Sequence, residues 1–569
     1  MQDRYNDIPN HLKDYIVTQD YNEYTCMDHS CWNFIMKISK NFFKDHAHES
    51  YLLGLEKTGI TIDSIPKISD MDNKLQEIGW RAAPVRGFLP PTIFMQFQAH
   101  GVLPIASDMR TVSHLTYTPA PDIVHEAAGH SPIIADSTYS QFLKEYGDAA
   151  SKAIYSKDDY NIYLAIRHLS DIKENPRTTF DDIKNAEIAL DACISNTKSI
   201  SEAAYLARLN WWTVEYGLVG SIDNPKIYGA GLLSSVSESY NAIFGDVKKI
   251  PLSLDCINYS YDITEQQPQL FIADDFEHLS KVLKDFTLNM AYNTGGIASV
   301  KKAIESESIC TYKFDTGLQV SGIPVDFKGS DRIDFYKFSG PVQISYNNKQ
   351  LENHGGDYHS HGFSSPLCND DIIEKLISSS IEEKLSLQFS NGITLSGVVK
   401  EKIYEGSILL LVSFDNCEIK LGDEILFSPN WGQFDLACGK SIISVHGGPA
   451  DLKNYLKFIN LEDPITSKPI YIKEPSKDKK NLNLLYERID ALSSKTQLEK
   501  SIIDSLIDEL DEKYPDDWLS RFKIMEILFA KDNQLYDMLR SQIDEISSHD
   551  SDLNESIRRA IKVLENISD

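Results

Sequence analysis

The stretch Pro121-Asp-Ile-Val-His125-Glu126-Ala-Ala-Gly129-His130-Ser-Pro132 concentrates two histidines and two carboxylates in little more than three helical turns. Neutral imidazoles are ligands for borderline metals, so metal binding is the first chemistry it suggests. Zinc-protease helices place their two histidines four residues apart, about 40° around the helix, so that both face one ion. Here the interval is five, and on a straight α-helix the rings diverge by about 140° and cannot share an ion. They converge only if the helix stops near Gly129, a residue suited to a left-handed terminus, and His130 swings back from the following loop.

Two imidazoles need a third ligand, and a carboxylate from elsewhere would complete a facial triad for non-haem iron(II). Glu215 is the candidate, because it lies in the otherwise apolar and aromatic stretch Leu209-Asn-Trp211-Trp212-Thr-Val-Glu215-Tyr216-Gly-Leu218. An unpaired carboxylate buried there is costly. A metal ion would relieve that cost, and so would an Arg or Lys partner.

These motifs together resemble the pterin-dependent aromatic amino acid hydroxylases, which act on phenylalanine, tyrosine or tryptophan. The matching residues are Tyr117-Thr-Pro-x-Pro-Asp122 leading into His125-Glu-x-x-Gly-His130, then Trp211-x-Thr-Val-Glu215-Tyr-Gly-Leu218, Tyr228-Gly-Ala-Gly-Leu-Leu-Ser-Ser235 and Thr264-Glu-x-Gln-Pro268. The resemblance covers roughly Trp32 to Tyr292. It implies a monooxygenase that hydroxylates the ring of a free aromatic amino acid with O₂, non-haem iron(II) and a reduced pterin such as tetrahydrobiopterin. By the same resemblance His125, His130 and Glu215 are the iron ligands, and Arg110 grips the substrate carboxylate, a task suited to a permanently charged planar fork. Thr118 and Ser234 line the amino acid's polar end, while Pro119 and Trp211 wall its ring. Gly87, Leu89, Phe94 and Glu126 face the pterin, Phe94 by stacking and the first two through backbone groups.

Ile263 stands where tyrosine-hydroxylating members tend to carry Asp, and Trp211 where tryptophan-hydroxylating members tend to carry Phe, so phenylalanine is the expected substrate. Asn210 departs from the animal pattern, which has Tyr there. Tryptophan hydroxylation, a non-catalytic interaction scaffold and a zinc hydrolase are the alternatives; bound metal and pterin-dependent turnover discriminate among them.

The elements that must position these residues fall into three parts. Residues 1–297 read as a mainly α catalytic domain, with helical periodicity over Cys31 to Phe43 and Ile200 to Gly217. Residues 298–473 read as a small β domain, a barrel or sandwich, because short Val-, Ile- and Ser-rich segments alternate with turn residues. It holds a weak repeat, Asp315 to Val325 against Ser390 to Val399, each with a central Gly that suggests a bulge or bend. It also holds His354-Gly-Gly-Asp357-Tyr-His359-Ser-His361, in which His359, His361 and a nearby Asp could take a metal if the segment is extended, or form an exposed polar turn. Residues 474–569 read as a helical domain with the stripes Ile503, Leu506, Ile507, Leu510 and Ile557, Ile561, Leu564, broken near Pro515. Few contacts are expected to cross its boundary, and its stripes could pair copies into a homo-oligomer.

A chain of 569 residues carrying 56 Lys and Arg against 84 Asp and Glu has a formal net charge of −28, which disfavours nucleic acid and anionic lipid as partners. The polar N-terminus and the absence of any long apolar run point to a cytoplasmic protein. The eight scattered cysteines read as reduced thiols. No regulatory domain of the animal type is expected before the catalytic part.

Overall fold

The computed structural model describes residues 2–87, 89–116, 121–174, 178–261, 266–389, 392–459, 477–493 and 499–565. Its organising element is the helix Cys26–His46, started by a capping box in which Thr25 and Asp28 satisfy each other's exposed donors. Trp32, Phe34, Ile35, Met36, Ile38, Phe42 and Phe43 are all buried on it. A helix apolar on more than one face needs neighbours on more than one side.

On one side the neighbours are the helices and short sheets of the first 295 residues. A parallel pair, Arg81–Val85 with Val102–Ala106, leads into the histidine segment. A four-stranded sheet includes Leu218–Ser221, which follows Glu215 directly, and Gln269–Ala273 beside it. Helices Ser137–Lys152 and Phe276–Thr287 complete this mostly helical body.

On the other side lie helices of the C-terminal part. Phe34 meets Trp518 and Phe522 edge-on, with ring centroids 4.9 and 5.1 Å away. Lys37 pairs with Glu526 at 2.8 Å. The Arg559 guanidinium lies over Phe42 and Tyr240 and donates to the Val236 carbonyl at 2.9 Å. The expectation that few contacts cross the boundary near 474 is therefore corrected: helices Lys477–Ser493, Lys500–Lys513, Trp518–Leu528 and Ser551–Leu564 share one core with Cys26–His46. Ile503, Leu506, Ile507 and Leu510 are buried within this chain, so that stripe is not free to pair copies. The break between helices falls at 514–517, around Pro515.

Between these parts, two antiparallel sheets run from Cys310 to Gly447. Both members of the weak repeat are strands of long hairpins: Leu318–Lys328 pairs with Phe335–Tyr346, and Ile393–Glu405 with Ile408–Leu421. Each hairpin shifts register at the expected glycine, between Ser321 and Ile323 and between Ser396 and Val398. The sheets meet where Gly362–Pro366 comes beside Phe434–Ala437, and the Ser365 hydroxyl accepts the Ala437 N–H at 3.1 Å. All eight cysteines are unpaired. Among the described residues no helix is long and apolar enough to cross a membrane.

Candidate metal centre

The histidine segment does not stop at Gly129, which corrects the expected geometry. Val124–His130 is a π-helix, with the Ser131 N–H reaching back five residues to the Glu126 carbonyl. Widening the turn from four residues to five puts residues five apart on one face, so His125 and His130 converge without a helix end. Their Nε2 atoms lie 3.1 Å apart. Gly129 serves close packing instead: a Cβ there would stand 2.6 Å from the Ala230 carbonyl oxygen. Buried Tyr51 donates to the Ala128 carbonyl at 3.1 Å, satisfying one of the groups that π geometry displaces.

Glu215 is delivered by a second π turn. Helix Glu202–Asn210 continues as Trp211–Glu215, closed by the Tyr216 N–H on the Trp211 carbonyl at 2.9 Å. The Glu215 carboxylate oxygens lie 3.4 Å from His125 Nε2 and 3.4 Å from His130 Nε2. One octahedral face with ligands about 2.0–2.2 Å from a metal needs donors about 3 Å apart. Separations of 3.1, 3.4 and 3.4 Å fit that face. His130 is buried, whereas the side chains of His125 and Glu215 keep 16% and 14% exposure, leaving one side of the cluster open.

The segment Tyr228-Gly-Ala-Gly-Leu-Leu-Ser-Ser235 locks both ligand helices. Gly229 seats its backbone on Glu215, where a Cβ would come within 2.5 Å of the Glu215 carbonyl oxygen. Ser234 Oγ donates to the Ala230 carbonyl at 2.8 Å and stands 3.0 Å from His125 Nδ1, so it accepts the Nδ1 proton. That fixes the tautomer with Nε2 unprotonated towards the other ligands. Ser234, for which the family resemblance implied contact with the substrate's polar end, is thus placed against the His125 ring.

Arg110 has partners within the chain. It is buried, and its Nε and Nη2 donate to the two oxygens of Asp122 at 2.7 and 2.8 Å, while Nη1 donates to the Ser234 carbonyl at 3.1 Å. Asp122 in turn accepts the backbone N–H groups of His125 and Arg110. Burial works to raise the Asp122 pKa, but the Arg110 guanidinium and these donors outweigh it and hold the carboxyl below its ordinary range. The fork's first partner is therefore a carboxylate of the chain itself, tied to the start of the ligand helix. Asp122 appeared in the sequence only as a motif letter, and its spacing before His125, suited to capping, was the signal for its role.

The charges within the cluster oppose burial. Burial tends to raise the Glu215 pKa, yet the imidazoles, His130 foremost, bring it down to about 2. Burial lowers His125 to about 4. His130 is raised to about 8, its own burial outweighed by Glu215. Glu126, buried between the histidines, is pushed up to about 8 by desolvation. Its Oε2 has no hydrogen-bond partner among the described residues and lies 4.0 Å from His130 Nε2.

Of the remaining expected site residues, Phe94 sits in helix Pro91–Ala99 with its ring 6.3 Å from that of His130. Gly87 has φ +67°, open to glycine without strain, and its N–H is held by the Asp108 carboxylate. Leu89 packs beside a small cluster formed by Leu12, Phe97 and Val102. Trp211 stacks on Tyr261 at 4.3 Å and donates to the Gln267 side chain at 3.0 Å. Neither Tyr261 nor Gln267 was singled out from sequence, although Gln267 lies within the last motif. Thr118, Pro119 and Ile263 lie outside the described residues.

The open pair of imidazoles with one carboxylate, carried on π turns of a mostly helical body, has the donor set of a mononuclear non-haem iron(II) centre. The family description "Biopterin-dependent aromatic amino acid hydroxylase" matches residues 3–161 and 179–295. Phenylalanine-4-hydroxylase of Mesorhizobium japonicum is 28% identical over 270 residues, 47% of this chain and 82% of the relative. The bovine enzyme of that name is 30% identical over 46% of this chain and 50% of its own length. A crystal structure of Chromobacterium violaceum phenylalanine hydroxylase with iron(III) and 7,8-dihydrobiopterin aligns over 48% of this chain and 86% of that one, at 23% identity and TM-score 0.38.

Proposed function

We propose that the chain is a phenylalanine 4-monooxygenase, converting free phenylalanine to tyrosine with O₂, non-haem iron(II) and a reduced pterin of the tetrahydrobiopterin type. The observation that carries this reading is the open His125, His130 and Glu215 face within residues that match the hydroxylase family. Iron(II) and the reduced pterin, when bound, supply the activation of O₂ and its electrons.

The chain's own residues place and protect. Ser234 keeps His125 Nε2 available as a ligand atom, and Asp122 fixes the start of the helix that carries both histidines. Three of the five Arg110 N–H groups are committed to Asp122 and Ser234, and the other two are the donors we assign to the substrate carboxylate. Trp211, held flat by Tyr261 and Gln267, walls the ring, together with Pro119; Thr118 borders the amino acid's polar end. Phe94 is the stacking surface for the pterin, with Gly87 and Leu89 at its edge. Glu126, whose Oε2 has no hydrogen-bond partner among the described residues, faces it.

Around this site we assign 1–297 as the catalytic domain, 298–473 as a β-rich domain of barrel or sandwich type, and 474–569 as a helical domain that buttresses Cys26–His46. Eight unpaired cysteines support a reducing, cytoplasmic setting. The deciding assay gives purified chain iron(II), a reduced pterin and each of phenylalanine, tyrosine and tryptophan in turn. Pterin-dependent tyrosine from phenylalanine is the expected product. Product from tryptophan alone, or none that depends on pterin, overturns the assignment.

A further inference from the structure

The second histidine cluster is assembled differently from the arrangement its sequence suggested. His361 and Asp357 are exposed, and Asp357 pairs with Lys457. His359 instead turns inward to His354 and to Asp435, which arrives from strand Phe434–Ala437 more than seventy residues later. His354 Nδ1 and His359 Nε2 face each other at 3.2 Å, and Asp435 Oδ2 lies 4.0 Å from His359 Nε2. One ligand atom from each of the three lies within 4.8 Å of the others, and all three residues are buried.

We propose that His354, His359 and Asp435 form a second metal site, taking a divalent transition-metal ion of the zinc(II) class. A tetrahedral ion about 2.0–2.1 Å from two ring nitrogens sets them about 3.3 Å apart, close to the observed 3.2 Å. Asp435 closes the set by approaching His359 by about 0.7 Å from its present 4.0 Å. The donors are held from behind as ligands require. Ser413 donates to Asp435 Oδ1, and Tyr358 and Gln433 hydrogen-bond the same carboxylate. The Ile344 and Val342 N–H groups staple the His354 and His359 carbonyls to strand Phe335–Tyr346 at 2.9 and 3.1 Å. Among the described residues no Lys or Arg lies within salt-bridge reach of Asp435. A buried carboxylate beside two imidazoles, with neutral hydrogen-bond donors and no cationic side chain against it, has the charge balance of a cation site. Because the cluster is closed, the ion would bind the two sheets together rather than meet substrate.

The test uses the full chain, stripped with a chelator and titrated with cobalt(II) or zinc(II) alone. Wild type takes up two equivalents, one of which persists in the His130→Gln/Glu215→Gln chain and is lost when His359→Gln is added. Zinc(II) raises the thermal midpoint of His130→Gln/Glu215→Gln by several degrees. The His130→Gln/Glu215→Gln chain leaves the second cluster intact, so it decides the matter even if His359 variants fail to fold. No bound equivalent and no thermal shift in that chain would make the cluster a hydrogen-bonded part of the core and overturn the proposal. The outcome is independent of whether the first site hydroxylates phenylalanine.

Discussion

The chain holds two histidine pairs with the same interval, His125 with His130 and His354 with His359, and in both the facing ring nitrogens stand just over 3 Å apart. Each pair is joined by a carboxylate from a distant segment. The resemblance ends with backbone and solvent. The first pair sits on a π-helix and keeps an open side; the second sits on a loop stapled to a strand and is closed. Beyond its two histidines Glu215 has one long contact, from Asn210, whereas Asp435 is held by Ser413, Tyr358 and Gln433. An open face with a loosely held carboxylate suits exchange of substrate and oxygen, and a closed face with a clamped carboxylate suits permanent occupancy.

Removing a histidine from each pair gives the largest contrast. His130→Ala brings bound iron and pterin-dependent tyrosine formation to background, because only three protein groups hold the ion. His359→Ala shows instead in thermal unfolding, at about 1–3 kcal/mol, since Asp435 is left buried with fewer partners. Iron content and a melting curve on the two variants read both effects. Hydroxylation that survives His130→Ala would break the comparison at its first member.

Arg110→Lys comes next. Losing one side of a buried bidentate pair costs about 3–5 kcal/mol, and an ammonium recovers part of it, so about 2–3 kcal/mol is expected by urea unfolding. The Michaelis constant for phenylalanine rises in parallel. Asp122 is held below its ordinary pKa in the folded chain, so its contribution is present above the unfolded value and is lost as pH falls through the depressed one. Acid unfolding of the variant should therefore set in at higher pH than in wild type. An unchanged Michaelis constant would place the substrate carboxylate elsewhere.

Adding a methyl group to one glycine in each region separates them further. At Gly129 it meets backbone, the Ala230 carbonyl oxygen at 2.6 Å, and displaces the segment that locks both iron-ligand helices. At Gly397 the contacts are longer, Phe414 Cβ and Cδ1 at 3.2 Å and Cys417 Cα at 3.3 Å, so a shift of a few tenths of an ångström relieves them. Gly129→Ala should cost about 2–3 kcal/mol and weaken iron binding; Gly397→Ala should cost about 1 kcal/mol or less. Equal losses in thermal midpoint would contradict this.

How far the sequence disclosed these regions follows from how local each signal is. The grouping of His125, His130 and Glu215 was legible because its motifs are short and specific, and the bulges at Gly322 and Gly397 because a repeated glycine inside a strand has few other uses. The π turns were not, since the step from a four-residue to a five-residue hydrogen-bond interval is decided by tertiary contacts such as Tyr51 to Ala128 and Gly129 to Ala230. The partner of His359 was missed for the same reason: Asp357 and His361 lie nearby in sequence, while Asp435 reaches the site only through pairing of Phe434–Ala437 with Ile408–Leu421. The C-terminal stripes identified helices but not what covers them, because an apolar face looks the same whether it meets a second copy or Cys26–His46.

The smallest effect is expected at Asn210, and it probes how loosely the first carboxylate is held. Asn210 Nδ2 stands 3.5 Å from Glu215 Oε1, at the outer limit for a hydrogen bond, and its buried Oδ1 has no hydrogen-bond partner among the described residues. Asn210→Ala removes that weak donor and the buried acceptor together, so the two terms offset and stability should stay within about 1 kcal/mol. Turnover should fall only about 2- to 5-fold, below the usual range for residues that orient a metal ligand. At the second site Ser413→Ala removes a firm donor from Asp435 and should cost more, about 1–2 kcal/mol in thermal unfolding. A fall of about 100-fold in turnover with Asn210→Ala would mean that Glu215 is clamped as tightly as Asp435, and the contrast between an open, adjustable centre and a closed one would fail at the carboxylate.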